Sequence, residues 1–95
     1  MYVRLIIVIL LLTACKVHLF GNNHYYGTAE EKEESGNVKN ENAASSLKVS
    51  KGCCAMMYEG KDFTGENKKV CHDVEELALF EWNGKVSSVK LHQSK

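Results

Sequence analysis

The sequence lacks net charge, proline and any recognisable catalytic motif. Its 12 Lys and Arg residues balance its 12 Asp and Glu residues. No large electrostatic field therefore exists to attract nucleic acid, which argues against a nucleic-acid function. We find no paired catalytic carboxylates, no metal-ligand cluster and no phosphate-binding loop, so we predict that the protein is not an enzyme. The absence of proline does not decide between folds.

The first 15 residues have the organisation of an export signal. Arg4 gives a positively charged start, and residues 5–12 form an apolar run too short for an ordinary membrane-spanning helix. The run ends in Leu12, Thr13, Ala14 and Cys15, which resemble the lipobox of bacterial lipoproteins. That resemblance implies cleavage before Cys15 and its acylation. A generic secretory signal is the alternative, and an uncleaved anchor is a third. We predict a protein that is secreted, or lipid-anchored at the cell surface or in the periplasm, and that meets the membrane only through this leader.

Residues 16–51 are predicted to be a flexible polar linker. The stretch is rich in Asn, Glu, Ser, Lys and Gly, with an acidic run at residues 30–34. Such a composition buries too little apolar surface to offset the entropy of ordering the chain. His18 and His24 have no Cys or carboxylate at ligand spacing, so they do not predict a metal site. We find no internal repeat in this stretch.

Residues 52–95 are predicted to be the ordered part of the chain. The apolar run at residues 53–58 has the length of a strand. With period-two alternation it has two apolar faces, which indicates packing on both sides. One face holds Cys53, Ala55 and Met57, and the other holds Cys54, Met56 and Tyr58.

The rest of this part predicts a hairpin, a helical turn and a last strand. Polar residues and glycine at 59–67 favour a long turn before a second strand at 68–72. Asp73 can cap the short amphipathic stretch at 74–82, in which we expect one short helical turn. The alternation at 86–91 is typical of a strand with one face buried.

The ordered part resembles the Greek-key motif of the βγ-crystallins. Tyr58 is followed after four residues by Phe63 and then by Gly65, as in the folded-hairpin signature of that family. Residues 82–91 (WNGKVSSVKL) resemble the end of the motif with its double serine. The resemblance implies an all-β fold, in which one Greek-key motif is half of a two-sheet sandwich behind a disordered linker.

The resemblance also implies structural roles for individual residues. Gly65 would adopt a backbone conformation closed to other residues, which lets the Tyr58 ring fold over its own loop. The Ser88 hydroxyl would bond the backbone of the folded hairpin. Trp82 and Phe63 would anchor the core.

Calcium is the cofactor that the resemblance suggests. Residues 83–88 (NGKVSS) are similar to the family's calcium-binding stretch, Asn/Asp, Asn/Asp, x, x, Ser/Thr, Ser, but Gly84 supplies no side-chain oxygen. Affinity should therefore be weak, about 10⁻⁴ M. The alternative is a turn whose serines satisfy backbone groups. The implied ligands are the side chains of Ser87 and Asn83 and the backbone carbonyls of Lys85 and Glu59.

A domain of this family contains two motifs that exchange strands, and only one is recognised here. We therefore predict a homodimer, or pairing with another Greek-key chain. After export Cys53, Cys54 and Cys71 would remain, which predicts one internal disulfide and one thiol that is free or bridged between chains. Cys54 and Cys71 can face the same side of neighbouring strands, but the sequence does not fix the pairing.

The sequence thus predicts a non-enzymatic secreted or surface-anchored module that is structural and binds calcium weakly. Two other functions stay open at this point. One is a small secreted peptidase inhibitor of crystallin-like fold. The other is a subunit of a secreted defence or toxin complex.

Overall fold

The computed structural model describes residues 15–41 and 43–94, so the predicted leader, apart from Cys15, lies outside the described residues. Short alternating apolar and polar segments form seven strands in this part of the chain, and two 3-10 turns connect some of them. The turns are Asn23–Tyr25 and Leu77–Phe80. The strands are β1 (Val17–Phe20), β2 (Ala29–Lys32), β3 (Gly36–Asn37), β4 (Ser46–Val49), β5 (Cys53–Gly60), β6 (Thr64–Val70) and β7 (Ser88–Gln93).

The strands form two antiparallel sheets that exchange segments. The first sheet has the order β2-β1-β4, and the second has the order β3-β7-β5-β6. β3 comes from the first half of the chain, yet it pairs with β7, with Gly36 opposite Val89. In return, Val74 from the second half exchanges two backbone hydrogen bonds with Leu47 of β4, at 3.0 and 2.9 Å. Each half therefore completes the sheet of the other, and an all-β two-sheet fold results.

The structure contradicts the flexible linker predicted for residues 16–51, because this stretch contains four of the strands. In β1 the side chains of Val17 and Leu19 are buried, while those of His18 and Phe20 are half-exposed. In β4 Leu47 is fully buried. The average composition hid this pattern, since two or three inward-facing residues suffice for a strand of four. The charged residues of the stretch lie mostly on the solvent side.

A second Greek-key motif lies in this first half, so the prediction of no internal repeat is also wrong. Phe20, Tyr25 and Gly27 have the same spacing as Tyr58, Phe63 and Gly65, with the two aromatic residue types interchanged. The homodimer was predicted because a second motif was missing, and that reason no longer applies. Association of two chains stays a prediction without it.

The core lies between the two sheets and draws on both halves. Cys53, Ala55 and Met57 of β5 face it, in agreement with the predicted alternation. Trp82 is also in the core, with 4% of its surface exposed. Phe63, the other expected anchor, is half-buried and lies outside the core cluster. Its ring is needed in the hairpin, where it packs against another aromatic ring.

Two local predictions require correction. The helical turn expected within residues 74–82 is the 3-10 turn Leu77–Phe80, but Asp73 does not cap it. The Asp73 carboxylate instead accepts a hydrogen bond from the Val49 amide at 2.9 Å, because Val74 is extended along β4. The turn of the second hairpin is also shorter than expected, since β6 already begins at Thr64.

All four cysteines form disulfides. Cys54 pairs with Cys71, and Cys15 pairs with Cys53, with Cα separations of 4.0 and 5.9 Å. The described residues therefore contain no free thiol, contrary to the odd cysteine count that was predicted. A sulfur atom in a disulfide cannot also carry a thioether-linked lipid, so lipidation of Cys15 is incompatible with this structure. Among residues 15–41 and 43–94, no helix is long and apolar enough to span a membrane.

Candidate functional site: two folded hairpins and two serine loops

Each half of the chain contains a folded hairpin with an unusual backbone. In the second hairpin Asp62 and Phe63 have φ values of 56° and 61°, and Gly65 has a φ of 80°. The left-handed region is costly for residues that carry a Cβ, so the surrounding contacts must hold these two in place. A Cβ added to Gly65 would lie 3.3 Å from the Gly60 amide nitrogen. In the first hairpin the equivalent residues are His24, Tyr25 and Gly27, with φ values of 59°, 65° and 88°.

A buried serine holds each hairpin in this conformation. The Ser88 hydroxyl donates to the Gly60 carbonyl at 2.6 Å and accepts from the Phe63 amide at 3.0 Å. These are the contacts that the resemblance to the βγ-crystallins implies for this serine. Ser46 makes the equivalent pair in the first half, with the Asn22 carbonyl at 2.6 Å and the Tyr25 amide at 3.0 Å.

Replacing either serine by alanine should therefore destabilise the protein. Ser88→Ala or Ser46→Ala leaves one backbone donor and one acceptor without a partner, and we expect a loss of about 1–3 kcal/mol in the free energy of unfolding. Urea denaturation of each variant measures this loss. Ser94→Ala, at an exposed position, is the matched control and should stay within about 0.5 kcal/mol of the wild type. Equal stability of Ser88→Ala and Ser94→Ala would show that the buried hydroxyl does not hold the hairpin.

Aromatic pairs with a lysine cover the outer side of both hairpins. The Tyr58 ring packs edge-on against Phe63, with ring centres 5.6 Å apart, and the Lys90 ammonium lies 4.8 Å from the Phe63 centroid. The ring that Tyr58 meets is thus Phe63. In the first half Phe20 and Tyr25 are 5.7 Å apart, and Lys48 of β4 lies over Tyr25. Such cation–π contacts stabilise the folded hairpins modestly at exposed sites.

The loop that precedes β4 and the loop that precedes β7 contact each other. These serine loops are residues 41–46 (ENAASS) and 83–88 (NGKVSS). The Gly84 amide donates to the Ala44 carbonyl at 3.0 Å. The Ser87 amide donates to the Tyr58 carbonyl, and its carbonyl accepts from Val38 of the other half. Each serine loop is thereby fixed between its own hairpin and the extended segment of the other motif.

The four residues implied as calcium ligands are only partly brought together. Ser87, which is 2% exposed, lies beside Glu59 because its amide bonds the carbonyl of the preceding Tyr58. Lys85 lies two residues earlier in the same loop. Asn83 is exposed, and the next residue, Gly84, donates its amide to Ala44 of the first serine loop.

The sequence analysis missed one acidic side chain that reaches the second hairpin from the first half of the chain. Glu41 begins the first serine loop, and its Oε2 lies 3.0 Å from the Lys61 Nζ on the second hairpin. The hydrogen bond to Glu41, followed by the charge of that carboxylate, raises the pKa of Lys61 above its ordinary value. The spacing of 20 residues between Glu41 and Lys61 gives no local signal. Only the exchange of β3 into the second sheet brings them together.

The oxygen donors of the implied ligands and of Glu41 are of the kind that fits a weak calcium site. Hydroxyl and carbonyl oxygens with a carboxylate are the hard donors that calcium takes, and low carboxylate content reduces affinity. No group of three His, Cys, Asp or Glu side chains arranged for a metal occurs among residues 15–41 and 43–94. Any calcium bound here would therefore depend mainly on neutral oxygens.

The histidines of the first half have carboxylate neighbours that are remote in sequence. His24 lies 3.5 Å from Glu75 and 3.3 Å from Glu76, and its amide donates to the Glu75 carbonyl. His18 lies 3.6 Å from Glu31 on the neighbouring strand. These exposed pairs connect the first hairpin to the second motif and β1 to β2.

Comparison with known proteins identifies the fold. No family model and no curated protein matches the sequence. A βγ-crystallin domain from Flavobacterium johnsoniae has a TM-score of 0.75 at 21% identity, over 82% of this chain and 94% of that one. The N-terminal domain of Protein S has a TM-score of 0.72 at 24% identity, over 82% and 96%. A clostrillin double mutant in complex with nickel has a TM-score of 0.73 at 22% identity, over 82% and 98%.

These similarities, together with the exchanged strands and paired hairpins, define the class. The chain has the two-motif fold of a βγ-crystallin domain.

Proposed function

We propose that this chain is a non-enzymatic structural module exported to an oxidising compartment, and that it binds calcium weakly. The main support for a structural module is the pair of interlocked motifs, in which each half of the chain completes the sheet of the other. The two disulfides support export to an oxidising compartment, because disulfides persist outside the reducing cytosol and are frequent in small secreted domains. The apolar run at residues 5–12 supports export by its signal-like length.

The calcium part of the proposal uses oxygens from both halves. At the second hairpin we assign the Ser87 hydroxyl, the carbonyls of Lys85 and Glu59, and the Glu41 carboxylate. Asn83 occupies the same position in the second serine loop as Glu41 does in the first. By this pseudo-symmetry we assign the Asn83 amide oxygen, together with Ser45, to a corresponding site at the first hairpin. Bound calcium would neutralise charge and tie a serine loop to the other motif. The nickel complex of the clostrillin mutant is a property of that protein.

Calcium should raise the unfolding temperature more than magnesium does. At a calcium concentration 100 times a dissociation constant of about 10⁻⁴ M, linkage stabilises the native state by about 2.7 kcal/mol. For a domain of this size that corresponds to a rise of roughly 10 °C or more. Differential scanning calorimetry with matched concentrations of calcium, magnesium and chelator measures the difference. Identical unfolding temperatures in calcium and magnesium would reject the calcium part and leave the structural part standing.

Pairing of two chains is a separate proposal, because one chain already completes the domain. A dimer would need a contact surface of its own, and it would not supply a missing motif. Sedimentation velocity over a range of protein concentrations tests it directly. A monomer at every concentration would reject pairing.

A further inference from the structure

The chain that leaves β3 delivers one carboxylate to the second motif. Asn37 lies opposite Ser88 in the second sheet, and the next amide, that of Val38, donates to the Ser87 carbonyl at 2.9 Å. Residues 39–41 then continue past the second hairpin. The first half of the chain thus brings Glu41 to the second hairpin, where its carboxylate meets Lys61, two residues after Glu59.

Two side-chain contacts fix this segment to the hairpin. The Asn37 Nδ2 donates to the Asp62 carboxylate at 3.1 Å, and the Asp62 amide donates to the Asn37 Oδ1 at 2.8 Å. The neighbouring Lys61 makes the 3.0 Å ion pair with Glu41. Its backbone carbonyl accepts the Thr64 hydroxyl at 2.7 Å, so the lysine is part of an ordered turn. An ammonium group is therefore positioned at the one carboxylate that the proposed calcium site contains.

The first hairpin provides an internal comparison within the same chain. The spacing that relates Phe20 to Tyr58 places Asn23 at the position of Lys61, and the alignment of the two serine loops places Asn83 at the position of Glu41. Both residues at the first hairpin are neutral amides. The charged pair is thus specific to the second half and is not a requirement of the fold.

We propose that Lys61 acts as a built-in cation at the second calcium locus, where it pairs with Glu41 in place of the metal and keeps calcium affinity low. The proposal rests on the calcium binding proposed above. Lys61 and Glu41 are 60% and 42% exposed, and an ion pair this accessible to water is weak. Calcium at millimolar concentration can therefore displace the ammonium, but it must do so against the repulsion of a like charge.

Lys61→Gln tests this by removing the charge while keeping a polar side chain that is only one atom shorter. We expect calcium affinity, measured by isothermal titration calorimetry, to rise about fivefold, the effect of one unit charge at ion-pair distance in water. Lys69→Gln is the matched control, because it removes a charge from an exposed lysine on β6 for which the described residues show no ion pair. It should change affinity less than about twofold. Glu41→Gln should weaken binding and abolish the gain from Lys61→Gln.

The unfolding temperature is a second readout, measured with and without calcium. In chelator, Lys61→Gln should lower the unfolding temperature slightly more than Lys69→Gln does. With calcium, the added stability should be larger in Lys61→Gln. If the wild type binds calcium and both lysine variants show the same affinity, the role of Lys61 is refuted and the calcium function stands. If neither the wild type nor Lys61→Gln binds calcium, both proposals fall.

Discussion

Replacement of both Cys15 and Cys53 by alanine should lower the free energy of unfolding by about 4 kcal/mol, according to the loop-entropy estimate for a disulfide of this span. The disulfide closes a segment with a sequence separation of 38, and it joins the start of β1 to the start of β5. Its loss releases the first motif from the second at the point where the chain enters the fold. Urea denaturation of the double variant against the wild type, both without reductant, measures the change.

The second disulfide supplies the matched comparison. Cys54 and Cys71 have a sequence separation of 17, so the same entropy model gives about 3 kcal/mol for their joint replacement by alanine. The intact mass of the wild type, before and after reduction, should differ by two hydrogens for each disulfide. A wild type with only the Cys54–Cys71 disulfide, together with no loss of stability in the Cys15 and Cys53 variant, would contradict the structure and restore a free or modified Cys15.

The second half of the fold can be predicted from the sequence because its strand alternation and its hairpin spacing lie within short segments. The alternation of β5 predicts which of its side chains face the core, and the spacing of Tyr58, Phe63 and Gly65 predicts the folded hairpin. The first half has the same physical pattern in weaker form. β1 and β4 contribute only two and three buried residues, β2 and β3 contribute none, and Phe20 stands where the recognised motif has Tyr58.

Features that depend on strand exchange could not be predicted from either half alone. Nothing near Asn37 indicates that it pairs with β7, and nothing near Val74 indicates that it extends along β4. The ion pair of Glu41 with Lys61 follows from the same exchange, and the partner of Cys15 lies at a sequence separation of 38, at the start of β5. These contacts can be predicted only when both motifs are placed in one domain. The prediction of a linker at residues 16–51 left out the first motif.

Strand exchange also explains why the candidate site belongs to neither motif alone. Ser87 is held by its own hairpin through Tyr58, but Val38 of the other half closes the other side of its backbone. Any cation bound between a serine loop and a hairpin would therefore stabilise the contact between the two halves. Calcium binding and resistance to unfolding should then rise and fall together.

Leu47→Ala should destabilise the protein by about 2–5 kcal/mol, the usual cost of truncating a fully buried leucine. Leu47 has no exposed surface, lies opposite Leu19 in the first sheet, and exchanges both backbone hydrogen bonds with Val74. The truncation leaves a cavity at the point where the second motif enters the first sheet. Urea denaturation measures the loss, and two-state unfolding should persist because the two halves share one core.

Leu79→Ala is the matched control, since it removes the same atoms from a side chain that is 75% exposed. Its effect should stay within about 0.5 kcal/mol. The comparison separates the two-motif domain from a Greek-key motif that follows a flexible linker. With a linker, truncation at residue 47 would leave the unfolding of residues 52–95 unchanged, so a Leu47→Ala variant as stable as Leu79→Ala would contradict the fold described here.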